Sequence, residues 1–334
     1  MTFLHRNRWF LLFAAIVLVL PAFISDTYYL SILAFMATRL MIVVGLALLM
    51  GQAGQVSLGH AAFVGIGAYG AAILTTKAGL DPWVAMVAAA LMAAGVAAVI
   101  GMPTLKLKGH YLAMATLGFN EIAFILMVQL RSLTNGTDGI TGIPSLRLGP
   151  IDFGQPRLYH VLVWGVALLI FLFSLNLAGS RVGRALKALH RSEPAAAALG
   201  IDTSGRKLQV FVISAVFASI AGSFDAYYVQ FISPDSFTIT FSVILVTSVV
   251  IGGLGRLWGP VWGTIVIVVL PELIKRVNED ATYLVFGLLL IAIMVLFPLR
   301  SGPLKEWLER LGGGKSARGP AGRRDRGPGR PPAE

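Results

Sequence analysis

Long apolar runs, each broken by a short polar or glycine-rich link, set the pattern of this chain. Runs suited to helices that cross a bilayer, at about 20 residues each, lie at 9–25, 30–50, 61–76, 83–102, 111–130, 158–177, 208–230, 237–254, 258–275 and 282–298. The 61–76 run is short, and only a few residues join 237–254 to 258–275, so the pattern supports eight to ten spans. It predicts an all-α, polytopic membrane helix bundle of about ten transmembrane helices. The first run follows His5, Arg6 and Arg8, the charged start of a signal peptide. No clean small-x-small cleavage site follows and the next run begins at once, so it reads as a retained first helix.

Composition agrees. The chain is 56% hydrophobic and only 13% charged, against about 25% charged in a soluble domain. Its 37 glycines suit close helix packing in lipid. The absence of cysteine excludes disulfides, thiolate metal sites and cysteine nucleophiles. The five histidines are scattered with no His-x3-His pair, and the serines and acids form no catalytic constellation, so no metal, cofactor or enzymatic activity is expected.

The net charge of +11 invites a nucleic-acid reading, but the placement of the charges answers it better. With the N-terminus in the cytoplasm, the inner segments hold Arg6, Arg8, Lys106, Lys108, Arg181, Arg184, Lys187, Arg191, Arg206, Lys207, Arg256 and the basic residues of the tail. The outer segments hold Lys77, Arg131, Arg147, Arg157, Lys275 and Arg276, with Asp26, Asp81, Asp138, Asp152, Asp235, Glu279 and Asp280. This bias is the positive-inside rule with both termini cytoplasmic. The expected domains are a transmembrane domain at 1–300, with an inner loop at 178–207, and a disordered basic Gly/Pro/Arg-rich tail at 301–334.

Three places carry candidate chemistry. The link Gly51-Gln-Ala-Gly-Gln-Val-Ser-Leu-Gly-His60 is uncharged but polar. It is either a plain turn or a broken segment lining a translocation path, with Gln52, Gly54, Gln55, Ser57, Gly59 and His60 as path candidates. Thr116, Asn120 and Glu121 in the 111–130 run join that list. A glycine-punctuated link at Gly253–Gly259 echoes it weakly, as internal repeats of transporters do. Arg39, Glu121 and Asp225 are ionisable groups within spans, where a charge costs roughly 2.5–3.5 kcal/mol on insertion scales. Arg39 either pairs structurally with Glu121 or Asp225, or these groups serve the solute or a gate.

The 178–207 loop predicts two short helices. Val182, Leu186 and Leu189 sit at helical spacing among Arg181, Arg184, Lys187 and Arg191. Pro194 then opens a run of alanines that ends at Gly200, a C-cap residue. The loop lies on an anionic lipid surface or docks a cytoplasmic partner, with Arg184, Lys187, Glu193, Ala195, Ala196 and Gly200 as contact candidates. Glu309–Ser316 nearly spells a phosphate-binding loop, but Glu309 holds the first glycine's place and no strand precedes it. Any ATP is therefore bound by separate chains.

Taken together, several stretches resemble the branched-chain amino acid ABC transporter permeases, specifically the LivM type. They are Gly51–Tyr69, Leu107–Glu121, Asn135-Gly-Thr-Asp-Gly-Ile-Thr-Gly-Ile-Pro144, Gly183–Asp202 and Gly252-Gly-Leu-Gly-Arg-Leu-Trp-Gly-Pro260, covering about residues 30–300. Where such importers carry a Glu-Ala-Ala motif, Pro194 stands at the glutamate's place and Glu193 one position earlier. The resemblance implies a permease subunit in a bacterial inner membrane. It would work with a LivH-like second permease, two cytoplasmic ABC ATPases and a periplasmic amino-acid-binding protein, by alternating access. Related permeases for urea or short amides, a stand-alone secondary transporter coupled through Arg39, Glu121 and Asp225, and a scaffold acting through the tail are the other readings.

Overall fold

Short polar side chains at the links start several of the helices. Asp26 accepts a hydrogen bond from the Tyr28 N–H, Asp81 from Trp83, Ser180 from Gly183, Ser192 from Ala195 and Asp202 from Gly205. Each satisfies one of the donors that a helix start leaves unpaired. The computed structural model describes residues 8–275 apart from Ser25, Lys108 and Leu257. In chain order the helices are α1 (Arg8–Phe23), α2 (Thr27–Ala47), α3 (His60–Thr76), α4 (Pro82–Thr104), α5 (His110–Gln129) and α6 (Pro156–Gly179). Then come α7 (Arg181–Arg191), α8 (Glu193–Ala198), α9 (Thr203–Val229), α10 (Ile239–Gly252) and α11 (Gly259–Lys275).

Every predicted run up to 258–275 is helical, and α7 and α8 are the two short helices expected in the 178–207 loop. The 282–298 run and the basic tail lie outside the described residues. Among the described residues, six helical stretches are long and apolar enough to cross a membrane, and α1, α3 and α11 are shorter apolar helices. The chain is an all-α, multi-pass membrane protein.

α9 runs through the middle of the bundle and packs against α2, α3 and α4. Its crossing with α3 is tight. Gly67 lies on the Ser219 backbone and Gly222 on the Val64 carbonyl, so a side chain at either glycine would strike main chain. The Ser223 hydroxyl donates to the Gly67 carbonyl at 3.0 Å across that crossing. α4 buries Ala85, Ala89, Ala93, Ala97 and Gly101 at four-residue spacing, while Val84, Val87, Leu91 and Val99 face outward. Lipid offers no hydrophobic gain for helix association, so small residues that admit close van der Waals contact hold these helices together. α6 packs on α2, where the Trp164 indole donates to the Leu33 carbonyl at 2.9 Å, and α1 leans on α6.

Two antiparallel pairs of two-residue strands lie at one end. β1 (Ile140–Thr141) pairs with β4 (Phe231–Ile232), Ile140 opposite Ile232. β2 (Arg147–Leu148) pairs with β3 (Ile151–Asp152). The first pair joins the 130–155 loop to the end of α9. The 48–59 link, α7, α8 and the 253–258 link gather at the other end.

Candidate functional site

The link after α2 is where the backbone departs furthest from a regular helix. α2 widens into a π-helical turn at Leu48–Gln52, a rare form concentrated at functional sites. Gly54 then adopts a positive φ of 69°, and the chain runs irregularly to His60, where α3 starts. The sequence pattern placed the end of the span at Met50 without the π turn, because i→i+5 bonding leaves no compositional mark.

Gly59 precedes α3 and offers no capping side chain. The cap comes from other helices. The Leu58 N–H donates to the Thr116 hydroxyl at 3.0 Å, the Ala61 N–H to Ser242 at 3.0 Å and the Ala62 N–H to the Asn120 side-chain oxygen at 2.8 Å. Ser242 also donates to that Asn120 oxygen at 3.4 Å, and the Asn120 amide donates to the Phe237 carbonyl at 3.5 Å. The buried His60 ring bonds on both nitrogens, to Ser57 at 3.0 Å and to Ser214 of α9 at 2.5 Å. One buried network therefore joins α3, α5, α9 and α10 to the link. Ser57, His60, Thr116 and Asn120 of the sequence-predicted set are brought together here. Their polar groups are occupied by one another and by the backbone.

Gln52 and Gln55 are buried nearby, but the Gln52 carbonyl oxygen and both polar atoms of the Gln55 amide have no hydrogen-bond partner. A cavity of about 20 Å³ beside Gln52, lined also by Ser174, Phe171 and Arg256, is of single-water size. The outer surface of the link meets the other elements at this end. Gly54 lies directly under the His190 ring of α7, and Gly51 lies against the backbone of Gly255. The two glycine-punctuated links that echo each other in sequence thus touch. A motion of α7 reaches the α3 start through no more than six residues of chain.

The charged groups separate. Arg39 pairs with Asp225 at 2.9 Å, and the Thr38 hydroxyl donates to the other Asp225 oxygen at 2.8 Å. The Arg39 guanidinium also sits 4.6 Å from the Phe241 ring centre, a cation–π contact. The alternative pairing of Arg39 with Glu121 does not form: Glu121 is exposed, on the outward face of α5. The one-residue step from Asn120 to Glu121 turns the chain by 100°, from the buried network to the surface.

α7 buries Gly183, Leu186 and Leu189 and exposes Arg181, Arg184, Lys187, His190 and Arg191. Ser192 caps α8 and Pro194 lies in its first turn. The C-terminus closes with the Gly200 N–H on Ala197 O at 2.9 Å and the Ile201 N–H on Ala196 O at 3.1 Å, with Gly200 at φ 77°. This is a Schellman ending. Ala196 points inward, whereas Pro194, Ala195, Ala197 and Ala198 are exposed and Leu199 is 79% exposed. Glu193 is engaged by Lys207 of α9 at 2.6 Å.

Ser214, Ser242, His190 and Arg256 were not singled out from the sequence. The signal for the serines was a lone hydroxyl inside an apolar span, which in lipid must find a partner. Nothing local marks His190 or Arg256, because their neighbours come from links far away in the chain.

Residues 28–294 match the family described as branched-chain amino acid transport system, permease component. The chain is 34% identical over 282 residues to the high-affinity branched-chain amino acid transport system permease protein LivM of Escherichia coli K12, covering 77% of this chain and 66% of that one. It is 31% identical over 312 residues to the protein of the same name from Salmonella typhimurium LT2, covering 86% and 73%. A probable branched-chain amino acid transport permease protein LivM of Methanocaldococcus jannaschii is 23% identical over 236 residues, covering 66% and 68%. No solved structure matches.

Proposed function

The chain belongs to the family of branched-chain amino acid transport permease components, and from that premise we propose that it forms one membrane-spanning half of an ATP-driven importer for branched-chain or other small apolar amino acids. The observation that carries the reading is the α7–α8 hairpin. It presents Pro194, Ala195, Ala197, Ala198 and Leu199 outward at one end of the bundle, ringed by Arg181, Arg184, Lys187 and Arg191. An exposed apolar patch marks an interaction surface, and for a transport permease component the surface that fits it is a groove on a partner protein.

In this reading both termini and the hairpin are cytoplasmic, as the Lys and Arg bias predicts, and the membrane is a bacterial inner membrane. Two ABC ATPases dock under this permease and its LivH-like partner. They bind the ATP, and the chain itself needs no cofactor. A periplasmic binding protein delivers the amino acid at the opposite end. Closure of the ATPases moves α7, His190 presses on Gly54, and the 48–60 link passes the motion to the start of α3 and its ties to α5, α9 and α10. The α3 network is then a joint of the gate, and the polar groups it uses serve packing and motion rather than solute contact.

Uptake tests this. The chain, co-expressed with its partner subunits and placed in vesicles with the binding protein outside, should accumulate leucine only with ATP at the ATPases. Uptake by the chain alone on an ion gradient would overturn the reading in favour of a secondary transporter. ATP-driven uptake of urea or an amide without leucine uptake would overturn the substrate class.

A further inference from the structure

Gln52 is the last residue of the π turn. Its side chain is buried and its carbonyl oxygen meets no donor. An acceptor left in that state is disfavoured until something bonds it. The small cavity beside it shows what lies within reach, because its wall is apolar except for Gln52, Ser174 and Arg256. The Ser174 hydroxyl already donates within α6, to the Ile170 carbonyl at 2.8 Å. Arg256 is the remaining donor. It is exposed and makes no ion pair with any described residue. Its stem lies over its own link, with Cδ 3.4 Å from where a Cβ on Gly253 would stand. Gly253 and Gly255 have φ of 95° and 82°, a region open to glycine. The bare backbone lets the two links meet main chain to main chain: a Cβ on Gly51 would stand 2.8 Å from the Gly255 nitrogen. Three residues beyond Gly51, the His190 ring of α7 lies on Gly54. The π turn and the residues just after it are thus held between α7 and the 253–258 link.

We infer that Arg256 is a latch for the π turn: in the other state of the transport cycle its guanidinium donates to the Gln52 side-chain oxygen and ties the 253–258 link to the 48–59 link. The inference rests on the importer reading, which supplies the motion of α7 that shifts Gly54 and, with it, Gln52. In the present arrangement the latch is open. Closing it pairs the buried oxygen, and that gain offsets part of the cost of moving the link. A guanidinium suits the task, since it carries five N–H donors in a planar head on a long stem. The acceptor suits it too. A neutral amide lets the contact open again in each cycle, whereas a carboxylate would form a tighter, bidentate pair.

The test uses the complete importer in vesicles with its binding protein. Gln52→Leu removes the acceptor and Arg256→Met the donor. Each should lower leucine import about tenfold, the scale of one hydrogen bond to a charged group. The double variant should import no more slowly than either single one, because the same contact is lost in all three. Gln52→Leu also removes an unpaired buried oxygen, so the thermal midpoint of the purified importer should not fall. A second readout follows the link itself. The chain has no cysteine, so Leu254→Cys, at an exposed position of the same link, can be labelled with a maleimide. Its labelling rate should differ between the nucleotide-free importer and one trapped with ATP and vanadate, and Arg256→Met should abolish the difference. Wild-type import in either single variant, losses that multiply in the double one, or labelling that ignores nucleotide would overturn the latch. A lowered midpoint in Gln52→Leu would overturn it as well, since the oxygen would then be bonded in this arrangement. An unaltered importer that carries no amino acid would instead overturn the importer reading, a result the variants are not needed to see.

Discussion

At the scale of single residues, buried side chains from α5 and α10 hold the start of α3. Asn120 satisfies the Ala62 N–H at the start of α3. Asn120→Leu therefore leaves a buried donor unpaired, which costs about 1–3 kcal/mol, and should lower the thermal midpoint of the detergent-solubilised chain. An unchanged midpoint would mean that the network is incidental. Arg39 and Asp225 are 25% and 16% exposed in their side chains. Asp225→Asn strands the guanidinium, at a cost toward or below the low end of the ~3–5 kcal/mol seen when a buried pair is broken. Adding Arg39→Met should recover most of that loss in the same melting experiment. A double variant no better than the single one would show that Arg39 acts outside the pair.

At the scale of elements, hairpins and caps carry the testable energetics. Lys207 is nearly buried and held by Glu193 at 2.6 Å. Glu193→Ala leaves that ammonium without its acid and should destabilise the α7–α8 hairpin by about 2 kcal/mol, less than a fully enclosed pair loses. Lys207→Met should be milder, because it removes the charge along with the partner. Protease sensitivity of the hairpin would rank the two, and the reverse order would refute the pairing argument. At the other end, the Gly154 N–H bond holds the Asp152 carboxyl below its usual value, with help from Ser145 and Arg147. A depressed carboxylate stabilises the fold above its unfolded pKa, so that contribution is present at neutral pH and is lost as pH falls through its lowered folded value. The Gly154 amide resonance should shift with a midpoint below the ordinary carboxylate value of about 4; a midpoint at or above it would contradict the bond.

Much of this architecture was legible beforehand, because a helix in lipid announces itself by an apolar run and a cap. The two short helices of the 178–207 loop could be read from Leu186, Leu189, Pro194 and Gly200 alone. The site was only half legible. Polar residues in an apolar chain stand out, so Ser57, His60, Thr116 and Asn120 were visible. Their mutual bonding was not, since it depends on how α5 and α10 are rotated about α3. Glu121 and Asn120 are neighbours in sequence, yet one is on the surface and the other is sealed in the network. Only the packed helix separates those roles.

At the scale of the whole molecule, the proposed function makes the chain one half of an importer. Under that reading its exposed hairpin knob is the surface that meets another chain. The glycine links at 51–59 and 253–259 touch at the end where the hairpin lies, so a motion of α7 meets the irregular backbone first. The most direct measurement is affinity purification of the chain from its native membrane in mild detergent, with mass spectrometry of what accompanies it. A second permease and two copies of an ABC ATPase should be recovered with it, with the ATPase lost and the permease retained when Leu199 is changed to Asp. A chain recovered alone and stable, or ATPase retention undiminished in Leu199→Asp, would contradict the proposed function.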